Sequence, residues 1–173
     1  MTTPGQTIGP FFGYALPYVG GSDLVRPGHP GAIRLHGRVL DGDGQPVPDA
    51  LIEIGQTDPG GALVNEPGSL HRDGWTFTGW GRAATDNAGR YSFTTLLPGG
   101  PNPFFAVTVF ARGLLDRLAT RAYVPGHGLD PLLSRVPEER RHTLIAVAEP
   151  DGLRFDVRLQ GQDETVFLAY PVK

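Results

Sequence analysis

Cysteine is absent from the 173 residues, which excludes disulfide staples, thiolate metal ligands and a cysteine nucleophile. Lysine and arginine total 15 against 18 acidic residues, for a formal net charge of −3. No basic run occurs along the chain, so neither nucleic acid nor an anionic membrane is an expected partner. No apolar stretch approaches membrane-spanning length, and the first residues show no charged segment followed by an apolar core, so a cytoplasmic setting is expected. The five histidines, at 29, 36, 71, 127 and 142, never fall two or four apart. No strand or helix therefore presents two imidazoles on one face, and a metal site local in sequence is not expected. Neither a Gly-x-Ser-x-Gly elbow nor a phosphate-binding loop is present. Asp41-Gly42-Asp43-Gly44 opens like a calcium loop, but Gln45-Pro46 follow and no Glu stands at the twelfth position, so it reads as a turn.

The chain does carry 25 glycines and 17 prolines, scattered between apolar runs as turn residues are. At this length one domain can bury roughly two-thirds of the surface its unfolded chain exposes. Residues 1–30 read as an arm rich in Gly, Pro and aromatics, and residues 31–173 as one domain. IRLHGRVLD, ALIEIGQT, RYSFTTL, FFAVTVFA and ATRAYV read as strands separated by Gly/Pro turns, and TLIAVAEPDGLRFDVRLQ as a hairpin around Asp151-Gly152. Asp86 and Asn87 open a turn closed by Gly89, and Tyr91 and Phe93 share a face of the strand that follows. His36 alternates with Ile33 and Leu35 and belongs on the outer face of its strand. DPLLSRVPEERR is a short helical candidate, with Asp130 as cap, Pro131 at the first position and Pro137 as its break. The expected fold is all-β, an antiparallel β-sandwich with an extended N-terminal arm and one short helical segment.

The cadence GRVLDGDGQPVPDALIEI followed by TDNAGRYSFTTLLPG resembles two groups: intradiol ring-cleaving dioxygenases, and the non-enzymatic prealbumin-like modules of carboxypeptidases and adhesins. Three further stretches, TPGQTIGPFF, FARGLLDRLATRAYV and RFDVRLQGQDETVFLAY, resemble the alpha subunits of protocatechuate 3,4-dioxygenases, and in the same order. The resemblance runs from Thr3 to Tyr170. In that family the catalytic beta subunit holds a non-haem Fe(III) ion with two tyrosines and two histidines, hard donors suited to a hard cation. The resemblance places those ligand positions at Leu63, Pro101, Phe104 and Ala106, none of which has an electron pair for a metal. No tyrosine lies between Tyr18 and Tyr91, and no histidine between His71 and His127, to replace them. The resemblance therefore implies a chain with no catalytic and no metal-binding residue of its own; Phe104 and Ala106 become packing residues.

The same resemblance gives the arm a use. In the family the alpha subunit's N-terminal segment lines the partner's substrate pocket, which implies that role for Thr7, Gly9 and Phe11, with Pro10 fixing the backbone between them. The alternative, from the residues alone, is that Phe11 and Phe12 tuck the arm onto its own core. Arg121 matches an arginine near the substrate's carboxylate, a group its planar fork can bind through both oxygens. Arg112 reads as a structural or interface ion-pair residue. The implied function is a non-catalytic alpha subunit in a hetero-oligomer with the iron-bearing beta subunit. The assembly cleaves protocatechuate with O2 to 3-carboxy-cis,cis-muconate. A stand-alone prealbumin-like binding module and an independent dioxygenase with an unusual metal site are the rival readings.

Overall fold

The computed structural model describes residues 7–9, 11–64, 66 and 72–169; Pro10, His71 and Tyr170, on which some expectations fall, lie outside them. Among the described residues nine strands form two sheets. In the first, the order is β4 (Arg90–Thr95), β1 (Ile33–Leu40), β8 (Gly152–Arg154), β7 (Val147–Glu149), with β9 (Val157–Arg158) pairing the far end of β1. In the second it is β3 (Trp80–Ala84), β2 (Leu51–Gly55), β5 (Phe104–Phe110), β6 (Leu118–Tyr123).

Period-two alternation builds the core. Leu35, Val39, Tyr91, Phe93, Leu153 and Val157 point inward from the first sheet, and Ile52, Ile54, Phe105, Val107, Val109 and Ala122 from the second; all are buried in one cluster. Tyr91 and Phe93 pack edge to face with ring centroids 5.9 Å apart, on the shared face expected of them. The two expected turns also form. The Gly89 N–H donates to the Asp86 carbonyl at 2.9 Å with Gly89 at φ +68°, and the Asp41 carboxylate accepts from the N–H groups of Asp43 and Gln45.

The sandwich stands, with five differences from the sequence reading. First, the first sheet is mixed: β1 pairs antiparallel with β4 but parallel with β8 and β9. Gly37 marks the crossover, where a Cβ would lie 1.9 Å from the Phe155 carbonyl oxygen. Second, β3 was not expected, because WGRAA has no β-branched residue; Gly81 and Ala83 are its inward positions, and Leu24 fills the space over Gly81. Third, that same Leu24, with Val25, is buried in the core, so the boundary expected at residue 30 does not part arm from domain. Fourth, the arm contains one helical turn, α1 (Phe12–Ala15). Fifth, the expected helix is two 3-10 segments, Leu133–Arg135 and Glu138–Leu144, divided at Pro137, whose ψ of 137° is extended. The second segment also takes in Thr143 and Leu144, so the expected terminal hairpin shortens to β7 and β8.

These 3-10 segments cover the outer face of β5 and β6. Leu133, Val136 and Leu144 pack there on Tyr123 and Phe104 as a second, smaller core. Among the described residues no helix is long and apolar enough to cross a membrane.

Candidate functional site

At one end of the second sheet, where β2 ends and β5 begins, a cavity of about 750 Å³ opens between the loops 61–64 and 99–103. Leu63, Pro101, Phe104 and Ala106 all line it, together with Trp80 and Arg121. The four positions matched to iron ligands thus converge on one cavity although they are spread over 44 residues of chain. Phe104 packs against the second core, whereas Ala106 is exposed in the cavity wall, which corrects its assignment as a packing residue.

The donor set does not fit a ferric ion. Leu63, Pro101, Phe104 and Ala106 offer only carbon. Asp130, the one carboxylate lining the cavity among the described residues, is engaged on both oxygens: Oδ2 accepts from Arg121 Nη1 at 2.7 Å and from Tyr123 Oη at 2.9 Å, and Oδ1 accepts from the Leu133 N–H at 2.7 Å. Burial raises the Tyr123 phenol above its ordinary pKa, so it stays protonated and acts as donor to Asp130.

Arg121 sits in this network rather than free. Its outward position on β6 places the guanidinium 4.0 Å above the Phe104 ring, with Nη1 donating to both Asp130 and Tyr123 Oη. In the sequence Asp130 reads only as a helix cap. It does cap Leu133, but the same carboxylate neutralises Arg121, a double use that no local pattern announces.

The start of the arm lies at the other end of β5, whereas Tyr18, further along, stacks on Trp80 of the cavity wall with ring centroids 6.5 Å apart. Thr7 Oγ1 accepts the Gly113 N–H at 2.9 Å, three residues beyond the end of β5, while Arg121 pairs with Ala106 near its start. From Ala106 to the end of β5 at Phe110 is roughly 13 Å of strand, and Gly113 lies three residues further on. Thr7, Gly9, Phe11 and Arg121 are therefore not one site within this chain. The Phe12 N–H donates to the Gly9 carbonyl at 3.2 Å, and the space beside the Gly9 α-carbon is open. Phe12 is buried, whereas Phe11 is 76% exposed, as are Tyr14 at 87% and Val19 at 99%. Of the two aromatics only Phe12 tucks the arm onto the domain. Arg112 pairs with Asp49 at 2.8 Å on the same end, as a structural ion pair.

His36 lies on the outer face as expected, its Nε2 2.9 Å from Glu149 Oε2. His36, Glu149 and Asp151 bring three ligand atoms within 4.8 Å. Arg154 pairs with Glu149 and Arg34 approaches Asp151, so the cluster is already balanced by cations.

The profile of the dioxygenase family matches residues 22–129. The protocatechuate 3,4-dioxygenase alpha chain of Burkholderia cepacia is 38% identical over 190 aligned positions, covering 95% of each chain. The beta chain of the same enzyme and organism is 33% identical over 83% of this chain and 71% of its own length. Among solved structures, the dioxygenase domain of a dioxygenase–carbohydrate-binding fusion from Streptomyces sp. SirexAA-E superposes with a TM-score of 0.59 at 26% identity, covering 92% of this chain and 98% of that one.

Proposed function

This chain belongs to the intradiol ring-cleaving dioxygenase family, and from that membership we propose that it is the alpha subunit of a protocatechuate 3,4-dioxygenase. It has no catalytic residue of its own and completes the active site of an iron-bearing beta subunit. The assembly inserts both atoms of O2 into protocatechuate between its two hydroxylated carbons and yields 3-carboxy-cis,cis-muconate. The non-haem Fe(III) that the family uses is held by the beta subunit. The observation that carries this reading is the cavity of Leu63, Pro101, Phe104 and Ala106, whose side chains have no atom to give a metal while the fold around them is that of the family.

The arm supports the subunit role. Phe11, Tyr14 and Val19 leave apolar surface in water next to a backbone held in place by Thr7 and Phe12, a pattern that suits a surface completed by another chain. In this proposal residues 1–30 contribute to the interface, and Thr7, Gly9 and Phe11 line the partner's substrate pocket. There they position the aromatic ring and exclude water. Arg121 is assigned to the scaffold, because its Nη1 donates to Asp130 and Tyr123 and its guanidinium lies over Phe104. A chain without cysteine suits the reducing cytoplasm.

The test is expression of this chain alone and together with a beta subunit, followed by iron analysis, visible absorption from tyrosinate-to-iron charge transfer, and protocatechuate turnover. Iron, colour and turnover only in the co-purified complex are expected. Iron and turnover in the lone chain would overturn the assignment, and failure to form any complex would favour a stand-alone prealbumin-like binding module.

A further inference from the structure

The outer face of the first sheet gathers cations although the chain as a whole is acidic. Because Leu35, Gly37 and Val39 take the inward positions of β1, Arg34, His36 and Arg38 alternate outward. Register sets Arg90 of β4 directly opposite Arg38, and Arg154 of β8 beside His36. Arg34, Arg38, Arg90 and Arg154, four of the chain's 15 Lys and Arg residues, line a single cleft of about 560 Å³. A second cleft of about 510 Å³ shares Arg34, Arg90 and Tyr91 with it, so the groove continues across the sheet.

Two of these cations have no direct side-chain contact to an acid among the described residues. Asp156, the one acid lining the first cleft, accepts the Arg38 backbone N–H at 2.9 Å and pairs with Arg154, which also reaches Glu149 at 3.0 Å. Arg34 donates Nε to Ser92 Oγ at 2.9 Å and stands 3.9 Å from Asp151. Asp86, beside Arg90 in the second cleft, accepts the backbone N–H groups of Arg90 and Ala88 on Oδ1, and these bonds, with the nearby charges of Arg90 and Arg38, hold its carboxyl below the ordinary range. Among the described residues the guanidinium groups of Arg38 and Arg90 make neither a hydrogen bond nor an ion pair, yet they face each other across adjacent strands. Like charges in that position repel, and an anion between them removes the repulsion. Two planar forks side by side on one sheet face also match the oxygens of a carboxylate or phosphate.

We infer that this cleft is a binding site for a small multivalent oxyanion, a polycarboxylate or phosphate, clamped between Arg38 and Arg90 with Arg34 at its edge. The inference is independent of the proposed alpha-subunit role, since it uses a different face and none of the same residues.

Calorimetric titration of the purified full-length protein, in whatever complex it forms, tests it. Citrate and inorganic phosphate are the two probes, at an ionic strength held constant with sodium chloride so that general screening cannot mimic binding. Saturable binding of at least one probe at one site per chain is expected. Arg38→Gln and Arg90→Gln should each weaken it about tenfold or more through loss of a charge-assisted contact. Arg117→Gln, an exposed arginine outside both clefts, should leave it unchanged. Citrate alone would identify a polycarboxylate site, and phosphate alone a phosphate site. Absence of saturable heat with both probes, or affinity unmoved by both cleft variants, would overturn the inference. Arg38 and Arg90 are exposed, so both variants should fold, and circular dichroism of each verifies that.

Discussion

Arg121 Nη1 lies 2.7 Å from Asp130 Oδ2, and this contact fastens the last strand of the second sheet to the 3-10 segment that covers it. The same carboxylate receives the Tyr123 hydroxyl and the Leu133 N–H, so one side chain closes three connections around a partly buried point.

Removing that carboxylate leaves a guanidinium, a phenol and an amide without their acceptor. Asp130→Ala should lower stability by about 2–3 kcal/mol, less than a fully buried pair would because Arg121 keeps some water. Urea denaturation should show a lower midpoint at unchanged slope. Arg121→Ala should lose less, and in the assembled enzyme it should affect protocatechuate and catechol alike. A rise in KM confined to protocatechuate, the only one of the two with a carboxylate, would instead put the guanidinium on the substrate.

Stability should also fall in strong alkali. Burial raises the phenols of Tyr123 and Tyr91 above their ordinary value near 10, Tyr91 being wholly enclosed and its hydroxyl donating to the Phe155 carbonyl. A folded pKa above the unfolded one means that the stabilisation is complete below the unfolded pKa and is lost as pH rises toward the folded one. Denaturation midpoints should therefore decline above about pH 10. Ultraviolet titration of the five tyrosines should show Tyr91 and Tyr123 ionising at higher pH than the other three. Normal ionisation of all five in the native protein would contradict the buried network.

Much of this architecture was legible in the sequence, and the failures share a cause. Strands with β-branched and aromatic residues, such as FFAVTVF, declared themselves by alternation, and the Asp86–Gly89 turn by its chemistry. Strand β3 did not, because Gly81 and Ala83 are inward only by virtue of Leu24, which arrives from almost 60 residues earlier. The parallel pairing of β1 with β8 and β9 rests on the long-range passage of Phe155 over Gly37, which no local window contains. For the site, family resemblance brought four scattered residues to one cavity. The tie between Arg121 and Asp130 and the distance from Arg121 to the start of the arm were properties of the fold alone.

The Gly37 crossing makes a prediction of its own. A methyl group there would lie 1.9 Å from the Phe155 oxygen and 3.1 Å from the Tyr91 hydroxyl, so β1 and the chain after β8 must part or shift. Gly37→Ala should destabilise by about 2–4 kcal/mol, in the range of core overpacking with a strained main-chain contact. Gly55→Ala, where a Cβ meets nothing within 4 Å, is the matched control and should change stability little. Equal thermal midpoints for the two variants would remove the crossing as a constraint on the fold.

Phe11 and Phe12 stand side by side in the sequence and should answer differently to the same substitution. Phe12 is buried on the domain, so Phe12→Ala should cost about 2–4 kcal/mol through lost apolar burial and an incompletely filled space. Phe11 is 76% exposed and holds little of the isolated fold together, so Phe11→Ala should leave the urea midpoint of the lone chain within about 0.5 kcal/mol of wild type. If the arm lines a partner's pocket, however, Phe11→Ala should weaken association with the beta subunit or raise KM in the complex. Sedimentation of the mixed subunits and steady-state kinetics read those two effects separately. A Phe11→Ala complex that assembles and turns over as wild type does would leave the exposed aromatic without a role at the interface, and with it the placement of Thr7 and Gly9 beside the substrate.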